Sequence, residues 1–221
     1  MEESDVITDV RHVCLGAIDL VTNPSVEENN GNDDGFSLQD RLRRLRTRTS
    51  IMFRSLRSLK IHFQHRVDNA CMDEGFISDI NRPCLEPLDF GSSQLSPIHD
   101  EAQLLRRLEQ DYTSLTMVAG VMELMPEDSV TEQATTMTEA NVSVQSTLCE
   151  LFLTILKIRR NAYLSGQLLE SHVSGSGLYN AVVPWCSVRS MVCRDERNFI
   201  ILSRIVRFVG IFKSTMRAID I

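Results

Sequence analysis

The side chains best suited to chemistry in this chain are a histidine pair, six cysteines and a run of arginines. His62 and His65 stand three residues apart, and Cys71 follows six later, a spacing at which imidazoles and a thiolate can share a zinc ion. A tetrahedral site needs a fourth ligand, and no further ligand cluster accompanies these three. The plain reading is a pair of solvent-facing histidines, and no metal site is assigned. Ser174-Gly175-Ser176-Gly177 is glycine-rich, but it lacks the G-x-G-x-x-G spacing and preceding strand with which a backbone cradles a pyrophosphate. It reads as a loop. The Glu-x-x-His pairs of di-iron helical bundles are absent as well. No catalytic residue and no cofactor are assigned, and the chain is not expected to be an enzyme.

Cys14, Cys71, Cys84, Cys149, Cys186 and Cys193 form an even set that can close three disulfides, with a connectivity that spacing does not reveal. The other reading is six buried thiols in a cytosolic helical protein. Cys71 can pair with Cys84, and Cys186 can pair with Cys193 or with a distant partner. Cys149, beside an apolar stripe, is either a buried thiol or an anchor for Cys14. One glycosylation sequon, Asn141-Val142-Ser143, is expected between helices, where a glycan would fit.

A chain of 221 residues with 43% hydrophobic content suits one domain with a real core, with or without loose tails. Its net charge of -7 argues against a general nucleic-acid binder. The most apolar run, Phe199 to Phe212, is interrupted by Arg204 and Arg207, so no membrane span is expected. Met1-Glu2-Glu3-Ser4-Asp5 does not read as a signal peptide. The chain is therefore expected either to be intracellular or to be secreted by a leader outside this sequence.

Four amphipathic segments would position these residues. Residues 1–37 read as a flexible N-terminal segment with an acidic, Gly/Asn-rich linker, and 38–221 as a helical bundle. The first helix opens near Ser37 and runs to about Val67, with Leu42, Leu45, Thr49, Met52, Leu56, Leu59 and Phe63 in one stripe. Its opposite face carries Arg41, Arg43, Arg44, Arg46, Arg48, Arg54, Arg57 and Lys60. A second helix is expected from Ser96 as N-cap and Pro97 in the first turn, with Leu104, Leu108, Tyr112, Leu115, Ala119 and Met122 inward and Pro126 as its stop. The third begins near Ser143, with Val144, Leu148, Leu151, Ile155, Ile158 and Ala162 inward. Asp195 caps the fourth, whose stripe is Phe199, Leu202, Val206, Val209, Phe212, Met216 and Ile219.

The expected connections are long, medium and long. Each outer one can span a helix, whereas an up-down bundle needs only short turns. The expected fold is therefore all-α, a four-helix bundle running up-up-down-down with two long crossover loops. The middle connection, residues 126–142, is longer than that topology needs. The basic face is either a solvated helix surface or an electrostatic contact for an acidic partner. Trp185, between Pro184 and Cys186, is a core anchor for its connection or an interface side chain.

The helix order, the crossover cysteines and two local runs, Cys71 with Cys84-Leu85-Glu86-Pro87-Leu88 and Arg204-Ile205-Val206-Arg207-Phe208-Val209, resemble the long-chain class I helical cytokines. The likeness is to the interleukin-6 and interleukin-12 alpha-subunit group, over residues 38–221. It implies a secreted, disulfide-bonded glycoprotein of the immune response that signals by bridging cytokine-receptor ectodomains. Acting as an alpha subunit would add a soluble receptor-like beta chain, with Cys84 as one candidate link. The chain departs from the group in its arginine-rich first helix and in lacking a cysteine near the start of the second. The receptor-contact candidates are Arg43, Arg54, Arg57, Arg204 and Lys213 on one face, with Trp185 and Arg197 on another. The rival reading is an intracellular helical adaptor or membrane-surface protein that uses the basic face.

Overall fold

The computed structural model describes residues 36–70, 98, 100–125, 131–164 and 191–219. The described chain is all-helical: it contains α1 (Leu38–Ala70), α2 (Glu101–Leu124), α3 (Thr131–Leu164) and α4 (Met191–Ala218), with no strand among the described residues. The N-terminal segment before Phe36 and the two long connections lie outside the described residues.

Local chemistry sets the helix starts. Ser37 caps α1 reciprocally: its Oγ accepts from the Asp40 N–H at 3.1 Å, and the Asp40 carboxylate accepts from the Ser37 N–H at 3.3 Å and hydroxyl at 2.7 Å. Two backbone donors left open by the helix geometry are thereby satisfied. The second helix starts later than expected. Asp100, not Ser96, is its N-cap, accepting from the Gln103 N–H at 2.6 Å, and a carboxylate there also meets the positive end of the helix dipole. Met125 ends α2 by donating to the Val121 carbonyl, one residue before Pro126.

Two other expected starts are corrected. The third helix opens at Thr131, not Ser143, so the middle connection shrinks to residues 125–130. The Thr- and Glu-rich run expected to be loop has no Gly or Pro to break it, and Ala140 and Met137 extend the apolar stripe toward the N-terminus. Asp195 is not the cap of α4, which begins at Met191. It lies inside that helix and pairs with Arg66 at 2.8 Å.

One apolar cluster joins all four helices. Every expected stripe residue of α1 and α3 is buried. So are those of α2 except half-buried Tyr112, and those of α4 except Phe199 and Val206, which pack on the core's edge. Ile201, Ile205 and Phe208 widen the buried face of α4 beyond that stripe, as Leu105, Val118 and Val121 do on α2. Thr49, in the α1 stripe, is buried without loss because its hydroxyl donates to the Leu45 carbonyl at 2.7 Å.

Directed contacts orient the pairs. Near the end of α1, Arg66 meets Asp195 near the start of α4, while Arg46 near the start of α1 donates to the Met216 carbonyl at 2.8 Å and to that of Ile219. The two helices therefore run in opposite directions. Glu109 early in α2 pairs with Arg159 late in α3 at 2.6 Å, across a six-residue connection, so this pair also opposes. Arg107 of α2 reaches Thr215 near the end of α4 at 3.4 Å.

Candidate functional site

Charge is distributed very unevenly along this acidic chain. Between Asp40 and Asp68 the sequence holds nine Lys and Arg residues and no carboxylate, and between Glu196 and Asp220 it holds five and none. Fourteen of the 23 cations therefore fall in these two stretches of α1 and α4, leaving nine cations against 30 acids in the rest of the sequence. The two helices lie side by side, so these cations share one side of the molecule.

Four of the fourteen turn inward. Arg41 was expected on the outer basic face, yet its side chain is 7% exposed and pairs with Glu150 of α3 at 3.0 Å. Arg46 is half-buried and holds the carbonyls at the end of α4, which lack partners within their own helix. Arg66 is tied to Asp195. Arg197, expected at a receptor contact, is 2% exposed and donates to the Asn198 side chain at 3.2 Å and 3.3 Å; its burial removes it from any contact surface.

Seven remain exposed: Arg43, Arg44, Arg48, Arg54, Arg57, Arg207 and Arg217. Arg44 stacks on Phe36 with its guanidinium 3.5 Å from the ring centroid. Arg43 touches Asp40 at 3.5 Å, with 77% of its side chain exposed, a pair worth little in water. The Asp40 carboxyl is held below its usual range, chiefly by the side-chain and backbone hydrogen bonds from Ser37 and further by Arg43 and Arg44. Lys213 is half-buried with its ammonium 4.5 Å from the Phe53 ring, and Lys60 lies 5.4 Å from Phe199. Such placement lets the aliphatic stem cover an aromatic ring while the charge stays in water.

The receptor-contact candidates therefore divide. Arg43, Arg54 and Arg57 are exposed together on α1; Arg204 and Lys213 are half-buried on α4; Arg197 is buried. Trp185 lies outside the described residues. Charged anchors such as Arg41 and Arg46 escape helical periodicity because they sit at the flanks of the apolar stripe, where only the neighbouring helix decides whether a side chain is covered.

A second polar cluster sits where α2 meets α3 and α4. Asp111 is 2% exposed and accepts from Arg107 Nε at 3.0 Å. Burial pushes its carboxyl up to about 6, against the opposing pull of the Arg107 charge and hydrogen bond. Two residues earlier Glu109, also buried, takes Arg159. Both pairs are structural in form, since each acid has its cation.

Asn141 is not between helices: it is a half-buried residue of α3, its Oδ1 is buried without a partner, and Ser143 turns inward to the Ala140 carbonyl at 2.7 Å. A sequon acts as an acceptor in a surface loop, so its helical setting counts against the expected glycan. Cys149 is half-buried on α3. Cys14, Cys71, Cys84 and Cys186 lie outside the described residues, as does the side chain of Cys193. Half-buried His62 and exposed His65 are in no group of three or more His, Cys, Asp or Glu among the described residues. No described helix is long and apolar enough to cross a membrane. Comparison with protein-family models, with curated proteins and with solved structures finds no match.

Proposed function

We propose that this chain is a secreted helical ligand of the cytokine type, acting by bridging receptor ectodomains and not by catalysis. One observation carries the reading: the pattern of helix directions. With α1 opposed to α4, α2 opposed to α3, and Arg107 near the start of α2 joined to Thr215 near the end of α4, the first two helices run one way and the last two return. Main packing of α1 on α4 and α3, and of α2 on α3, supports a four-helix bundle in which touching helices are antiparallel. These directions support the up-up-down-down order, in which a six-residue link joins α2 to α3 and 30 residues (71–100) and 26 residues (165–190) are available for the two crossovers. A short middle link fits this order better than the longer one expected from sequence.

One contact surface would then be the exposed arginines of α1, Arg43, Arg54 and Arg57, with the adjoining part of α4. Charge there would act mainly on association rate and partner choice. The segment around Trp185 remains the proposed second surface, and Cys84 the proposed link to a beta chain.

The test is a binding screen of the oxidised chain against cytokine-receptor ectodomains by biolayer interferometry. Arg54→Ala/Arg57→Ala is expected to slow association of a true receptor about tenfold at low salt with a smaller change in dissociation. If no ectodomain binds while the chain binds anionic vesicles in reducing buffer, the intracellular membrane-surface reading replaces this one.

A further inference from the structure

Protein interfaces draw their affinity from an apolar centre sealed off from water, and the outward face of α1 and α4 offers little of that kind. Phe53 and Phe199 lie against Lys213 and Lys60, and Ile61 at 43% is the one exposed large apolar side chain described on these two helices. What the face does offer is length and charge. Arg43 to Arg57 spans about 21 Å and Arg207 to Arg217 about 15 Å at the helical rise. Phe53 meets Gly210 at the middle of the seam, so the two rows run beside one another. No carboxylate interrupts either row, and neither Arg48 nor Arg57 has an ion pair among the described residues.

We propose that this face docks a linear sulfated polysaccharide. Guanidinium groups grip oxyanions through two parallel hydrogen bonds, and successive sulfates along an extended chain match successive arginines along the helices. Affinity then comes from counterion release and needs no apolar centre. The same features disfavour the other polyanions. Single-stranded nucleic acid wants open aromatic rings for its bases, and the rings here are half-buried. A membrane surface wants the apolar stripe of an amphipathic helix, and that stripe of α1 is spent in the core. The inference shares its face with the proposed receptor contact but does not depend on any receptor.

The probe is a size-defined heparin dodecasaccharide, titrated into the full oxidised chain by calorimetry from 0.05 to 0.5 M NaCl. With six cations engaged (Arg43, Arg54, Arg57, Arg207, Lys213 and Arg217), log Kd should rise with log salt at a slope of about 4. Arg54→Ala/Arg57→Ala should weaken binding about tenfold or more at 0.1 M and lower the slope by about 1. Arg54→Lys/Arg57→Lys should stay within about threefold, because charge is kept and only the fork is lost. Arg106→Ala/Arg160→Ala, exposed on α2 and α3, should change nothing. Salt-insensitive or absent binding, or an unaffected alanine pair, overturns the proposal. So does tighter binding to poly-glutamate or to phosphatidylserine vesicles than to the dodecasaccharide, which would reassign the face to an acidic protein or a membrane. Heparin binding without any receptor overturns only the receptor reading; receptor binding without heparin binding overturns only this one.

Discussion

Asp111 should make this protein less stable as pH rises from 4 to 7, opposite to the usual behaviour of a paired carboxylate. Its folded pKa is about 6, raised by burial, whereas an aspartate in the unfolded chain titrates near 3.9. In that interval the folded state holds a proton that the unfolded state has released. Stability from this group is thus complete below about pH 4 and lost as pH passes about 6, with a slope set by the difference in bound protons. Two pH units correspond to about 3 kcal/mol. The Arg107 guanidinium at 3.0 Å lowers the carboxyl but does not offset burial at 2% exposure.

The perturbation is Asp111→Asn, which keeps the shape and removes the titration. Urea unfolding of both chains at half-unit steps from pH 4 to 8 gives the difference in stability. At any single pH that difference includes the cost of leaving Arg107 with Thr215 and no carboxylate, about 3 kcal/mol if Arg107 stays dry. Its change with pH is free of that offset. The stability of the variant minus that of the native chain should rise by about 3 kcal/mol between pH 4 and 7, with its midpoint near 5. A difference that stays flat within about 0.5 kcal/mol, or falls with pH, would refute the claim that burial dominates this carboxyl.

Two further perturbations test the packing. Arg46→Ala should lower stability by about 2 kcal/mol, the scale of charged hydrogen bonds at a helix end, and should speed amide exchange over Met216 to Ile219; unchanged exchange there would mean the guanidinium is dispensable. Gly120→Ala should raise stability by about 1 kcal/mol, or Tm by about 2–4 °C, because a Cβ at this helical position meets nothing within 4 Å. A lower Tm would show that the site is tighter than that spacing implies.

How far the sequence discloses this fold depends on what each residue's neighbours decide. Within one helix, spacing suffices: Leu42 through Phe63 read as a stripe and are buried as a stripe. Polar composition misleads where no breaker is present. Thr131 to Asn141 read as a connection, although Met137 and Ala140 continue the three-four spacing into Val144. Caps are ambiguous for a related reason, since Ser96 and Asp100 offer the same chemistry one turn apart and only the fold selects Asp100. Charged residues are the hardest. Arg41 and Arg43 are two apart, of one type and on one helix, yet the first side chain is 7% exposed and the second 77%.

That contrast divides the arginines of α1 into two populations by geometry. Arg46, Phe53 and Lys60 recur every seven residues, and each touches α4; this is the flank that an antiparallel neighbour covers. Arg41 occupies the other flank and finds Glu150 on α3. Arg43, Arg54 and Arg57 point between or beyond those flanks and stay in water. The populations should respond differently to ionic strength. Mobile ions screen exposed charges over about 8–10 Å near physiological salt but reach buried pairs poorly. Raising salt should therefore loosen whatever the outer arginines hold while leaving the inner ones to keep α1 seated on α3 and α4. A partner lost at high salt from a chain whose helical signal and urea midpoint do not move is the behaviour this division requires.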